Sequence, residues 1–163
     1  MNKLRNFWYY YKKHTLIALA ALLVIGYLSA QRLGSAKPDY HIGLVQALPL
    51  PDEELNALAD TFAAAGEDLN GDGEILVQIH PFYVDLADSS DNAGVNNAQV
   101  VAALDADLIG NVSGIFLLEN PETFHRITDG IVQDTAIPFG NGLYLTVRRD
   151  ATDRYIRLAD ALS

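Results

Sequence analysis

The stretch VSGIFLLE, Val112 to Glu119, constrains this chain more than any other. Its apolar residues are consecutive, so as a strand it leaves neither face to water. Strands buried on both faces belong to the middle of largely parallel sheets, covered by helices on each side. The surrounding patterns agree. YHIGLVQAL, Tyr40 to Leu48, reads as a strand. Pro51 and the acids Asp52, Glu53 and Glu54 suit the start of a helix. Its apolar face is Leu55, Leu58, Ala59, Phe62 and Ala63, and Gly66 ends it as a left-handed cap. Ile75, Val77 and Ile79 alternate in a second strand, where Pro81 marks an edge or a bend. Ala87 to Asn97 is a polar loop, and Asn96 or Asn97 caps a second helix carrying Val100, Val101, Leu104 and Leu108 up to Gly110. Asn120 and Pro121 open a short helix, Pro138 to Gly142 makes a turn, and Leu143 to Arg149 is a fourth strand. Tyr155, Leu158, Ala159 and Leu162 mark a closing helix. The expected fold is α/β: a mostly parallel sheet of about four strands, helices on both faces, preceded by one N-terminal transmembrane helix.

That last helix rests on the first 37 residues, which hold six basic residues and no acid. The run from Thr15 to Gln31 is uncharged, short for a span but sufficient at roughly 17–25 residues. Trp8 and Tyr9 to Tyr11 stand beside Lys12 and Lys13, as in an interfacial belt. Four basic residues precede the run and two follow it, which favours an inside N-terminus. The expected layout is a cytoplasmic basic and aromatic segment at 1–13, a membrane helix at 14–33, a linker at 34–39 and an extracytoplasmic domain at 40–163. A cleaved signal peptide is the alternative, with small residues at Gly34 to Ala36, several positions beyond the apolar run. Residues 38–163 carry five arginines, no lysine and all 21 acids, a net charge of 5 − 21 = −16. Such a domain repels nucleic acid and bare anionic lipid. With no cysteine, neither disulfides nor thiolate metal sites are available.

NFWYYYKKHTLIALAALLV and, further on, LPDEELNALADTFAAAGEDLNGDGEILVQI with IFLLENPETF resemble small anchored proteins of Gram-positive anaerobes. The domain is similar to one lobe of extracellular solute-binding proteins of the type 2 periplasmic-binding fold. The resemblance implies an exported binding or interaction module on a single-pass membrane anchor. It names no ligand: the occupant is an unknown small molecule or an envelope protein. One lobe alone does not close around a solute by hinge motion, so high-affinity capture for transport is not expected.

GEDLNGDGEI, Gly66 to Ile75, has the letters of the first half of an EF-hand loop. Asp68, Asn70 and Asp72 take the first, third and fifth positions, Gly73 the sixth, and Glu74 offers its carbonyl at the seventh. Leu76 and Ile79 fall at the ninth and twelfth, so the bidentate acid is missing. The loop resembles that of periplasmic galactose-binding proteins, where a distant glutamate completes the site. Asp85, Asp88 and Asp91 are the candidates here. Two readings stay open: a weak calcium site, or a solvated turn of Asn-Gly and Asp-Gly.

No catalytic set is legible, and no catalysis is expected. His41, His80 and His125 are scattered singly, His125 with Glu122 three residues before it. Ser113 lacks a nucleophile elbow, and Asp105 and Asp107, two apart on a helix, face different ways. Arg148 and Arg149 are read as partners of acids. Ligands of open parallel sheets bind beyond the carboxyl ends of the strands. Here that edge comprises Leu48 and Pro49, the loop with Asp85, Asp88, Asp91 and Asn92, and Glu119 with Asn120. Two further functions compete with the binding module: a structural part of the cell envelope with the calcium-type loop, and a hydrolase of unrecognised type using His125.

Overall fold

The computed structural model describes residues 17, 20–24, 37–86 and 91–163, and for 91–97 the backbone alone. The chain divides into two compact units, Met1–Lys37 and Pro38–Ser163. Within the first, Ile17 and residues 20–24 are helical, and Ile17, Leu22, Leu23 and Val24 are exposed. Among the described residues no helix is long and apolar enough to cross a membrane. The rest of the expected span at 14–33 lies outside them.

The second unit is α/β. In chain order it contains β1 (Tyr40–Gln46), α1 (Asp52–Ala65), β2 (Val77–Tyr83), α2 (Asp91–Gly110) and β3 (Ile115–Leu118), then α3 (Pro121–Ile127), β4 (Ile137–Gly140), β5 (Leu143–Val147) and α4 (Asp153–Ala161). The strands form one sheet in the order β2-β1-β3-β5-β4. β1 pairs in parallel with β2 and β3, whereas β5 runs antiparallel to both β3 and β4. All four residues of β3 are buried, as the doubly apolar run requires.

Strand alternation sends side chains to two cores. Ile42, Leu44, Ile115 and Leu117 pack with Phe62 of α1 and with Tyr155 and Leu158 of α4. Val45, Phe82, Phe116 and Leu118 pack with Leu104 and Leu108 of α2 and Phe124 of α3. Helices therefore cover both faces.

The expectations need four corrections. The sheet has five strands rather than about four, because PFGNG is more than a turn. Gly140 pairs with Leu143 around Asn141 and Gly142, whose φ values of 51° and 76° fit a two-residue hairpin of the primed type. Only β1 to β3 form the parallel part, since a hairpin reverses the chain. Gly66 stops α1 in an extended conformation, φ −83°, not a left-handed one. α2 begins at Asp91 rather than near Asn96, so Asp91 and Asn92 lie in a helix instead of a loop, and the left-handed residue after it is Asn111. Asp39, expected in the linker, is buried and fastened to the loop before β2.

Candidate functional site

The carboxyl ends of β1, β2 and β3 lie at one edge of the sheet, because the strands run parallel. Three cavities open there and meet at Gln46, the last residue of β1. The first, about 410 Å³, lies between α1 and the β4–β5 hairpin and is walled by Leu50, Leu58, Phe139 and Leu143. The second, about 420 Å³, is bounded by Leu48, Pro49, Glu54, Glu119 and Asn141. The third, about 290 Å³, lies beyond Glu119 and reaches Val84, Asp85 and Asn120.

Local sequence explains the positions. Pro49 and Pro51 hold the link from β1 to α1 extended at the rim. Asn120 caps α3 by accepting a hydrogen bond from the Thr123 amide at 3.1 Å, with Pro121 in the first turn. Glu119 is turned back onto β1: its Oε2 accepts from the Ala47 amide at 2.8 Å, and its own amide donates to the Val45 carbonyl at 3.1 Å. Gln46 is 9% exposed, and its Nε2 donates to the Leu48 carbonyl. That fixes the amide orientation, and Gln46 Oε1 accepts no hydrogen bond among the described residues.

Five of the eight edge residues read from the sequence have described side chains. Leu48, Pro49, Asp85, Glu119 and Asn120 line the cavities, and Leu48 is 76% exposed. Asp88 lies outside the described residues, as do the side chains of Asp91 and Asn92. Sequence reasoning missed Gln46, Glu54, Thr61, Phe139 and Asn141. The Asn141-Gly142 pair was the available signal for the last two, since it implies the hairpin that carries them to this edge.

The loop from Asp68 to Glu74 folds around its own amides. Asp68 accepts from the amides of Gly71 and Gly73 at 2.7 and 2.9 Å, Asn70 from that of Asp72 at 2.8 Å, and Asp72 from that of Glu74 at 3.0 Å. The Gly73 and Gly71 amides hold the Asp68 carboxyl below the usual carboxylate range. Gly71 and Gly73 take the positive φ that the turn needs, 74° and 88°. Asp39 clamps the loop from beneath, accepting from Leu69, Asn70 and Leu76. Among the described residues no three His, Asp or Glu side chains gather as a metal-holding group, so no third acid joins Asp68 and Asp72. The described residues do not complete a calcium set.

Two histidines read as single are in fact paired. His41 Nδ1 lies 2.9 Å from His80 Nε2, with ring centroids 5.2 Å apart. The parallel register sets His80 opposite Gly43, two residues from His41, so His41 and His80 stand as neighbours on one face of the sheet. Burial, with His80 next to it, lowers the His41 pKa.

His125 pairs with Asp134 at 2.9 Å rather than with Glu122, and Arg149 joins Asp134 at 2.7 Å. Beside them is a cavity of about 330 Å³ with Thr146 and Tyr144 in its wall. The Thr146 hydroxyl lies against the carbonyls of Gln133 and Thr135 instead of His125. Arg148 bonds Asp150 and the Leu108 carbonyl. Ser113 is fully buried and gives its amide and hydroxyl to Asp107, which ties the end of α2 to the start of β3.

No family model, curated protein or solved structure matches the chain. Its function is therefore argued from geometry.

Proposed function

We propose that this chain is a membrane-anchored, extracytoplasmic binding module whose ligand seats on the carboxyl edge of the sheet. The observation that carries the reading is the meeting of three cavities at Gln46, on the edge where open parallel sheets present ligands. Their walls combine apolar side chains with a few converging polar groups, the usual composition of a ligand site. The anchor is supported by the uncharged run after a basic, aromatic segment, and by the exposed Ile17, Leu22, Leu23 and Val24, which suit a lipid surrounding.

The test is retention. The purified full-length chain is incubated with a small-molecule extract of its growth medium, and bound compounds are read by native mass spectrometry. Thr61→Trp serves as the control, because Thr61 is exposed and its new ring would fill the largest apolar part of the groove. A retained compound that the variant loses is expected. No retained compound, or equal retention by the variant, contradicts the reading.

A further inference from the structure

We infer that the groove at Gln46 takes a cationic amphiphile, a primary ammonium group on a short apolar stem. The inference rests on the binding reading above and adds the chemistry of the ligand.

The hydrogen-bond inventory of the groove leans towards acceptors. Three of its donors are engaged, Gln46 Nε2 with the Leu48 carbonyl, Thr61 Oγ1 with the Ala57 carbonyl, and the Ala47 amide with Glu119 Oε2, which leaves the exposed Asn141 side-chain amide as a neutral donor at the rim. The acceptors without a donor among the described residues include Gln46 Oε1, the Glu54 carboxylate and the second oxygen of Glu119. Gln46 is 9% exposed, so its oxygen has little access to water except through these cavities.

Charge points the same way. Glu54 and Glu119 both line the cavity of about 420 Å³. No arginine lines any of the three cavities, and residues 38–163 have no lysine. Arg148, Arg149 and Arg157 are held by Asp150, Asp134 and Glu67, and Arg154 lies over the Tyr155 ring. An anionic ligand would meet two carboxylates and no counter-charge. An ammonium group supplies three donors and the opposite charge. The stem has its own place, since Leu50 and Leu143 are shared with the adjoining cavity walled by Leu58 and Phe139.

The test compares n-hexylammonium, n-hexanoate and 1-hexanol on the full-length chain, by calorimetry and amide chemical shifts. Hexylammonium is expected to move the amides of Ala47, Leu58 and Leu143 and to bind at least about tenfold more tightly than hexanol. The advantage should shrink between about 20 and about 500 mM salt. Glu54→Gln with Glu119→Gln, both exposed and isosteric, should erase it while hexanol binding persists. Hexanol or hexanoate binding at this edge as tightly as the amine overturns the inference and leaves the binding reading intact. Silence of all three probes at the edge also overturns it, and the retention experiment then decides the binding reading on its own.

Discussion

At Gly43 the room for a side chain is already occupied. A Cβ there would lie 2.4 and 2.5 Å from the Phe116 ring, which is fully buried and packed on Phe124. The ring cannot swing away without opening the core under α2. Gly43→Ala should therefore cost about 3 kcal/mol by overpacking, read from the urea midpoint. Two residues before it, His41 stands beside His80. A nitrogen separation of 2.9 Å needs one shared proton between the rings, so a second proton breaks the bond and sets like charges together. Burial and His80 lower the His41 pKa, Arg154 acts in the same direction, and Asp107 opposes them. The folded state then binds fewer protons than the unfolded one. Its contribution is full above the unfolded pKa near 6.5 and is lost as pH falls through the depressed folded value. The melting temperature should rise from about pH 5 to about pH 7, and His41→Asn should flatten that slope. An unchanged slope in the variant would exclude the pair as its source. Neither contact was legible in the sequence. His41 and His80 lie on different strands, and only the register of β1 on β2 brings them together.

Among the elements, the loop between α1 and β2 is the one whose letters suggest most. Asp39, 3% exposed, accepts three of its amides. Asp39→Ala should cost about 2 kcal/mol, the scale of lost hydrogen bonds to a charged group, measured by thermal or urea unfolding. The carboxylates of Asp68 and Asp72 already serve as turn acceptors, so millimolar calcium should leave the melting temperature within about 1 °C. A rise of several degrees, lost in Asp68→Asn with Asp72→Asn, would instead make the loop a calcium site of the ~10⁻⁴–10⁻³ M class. β3, the apolar faces of α1 and α4, and the cap of α3 were all readable, because burial periodicity and capping chemistry are local. β4 was not. Its four residues contain Pro138 and Gly140, poor strand formers, and only pairing with β5 holds them extended. The Asn141-Gly142 signal of that hairpin was present and was read only as a turn. The groove suffered the same way: its rim was placed from strand order, while Gln46, Glu54 and Thr61 came from packing α1 against the hairpin.

For the whole molecule, the split between a basic, apolar N-terminal unit and an acidic α/β unit sets the expected topology. Protease added to intact protoplasts of an expressing Gram-positive host should remove residues 38–163 and spare the N-terminus. Full protection of the domain, recovered in the cytosol, would contradict the anchored, exported reading. The α/β unit itself has one edge where cavities, a buried amide and two carboxylates come together. The most direct measurement of whether that edge is the binding surface is a map of amide chemical shifts of the full-length chain, titrated with a cocktail of charged and neutral fragments. Shifts should gather at Gln46 to Leu50, along α1 from Glu54 to Thr61, and at Glu119 and Asn141 to Leu143. Shifts gathered instead around His125 and Asp134 or around His41 and Tyr155, or none at all, would contradict the assignment of the site.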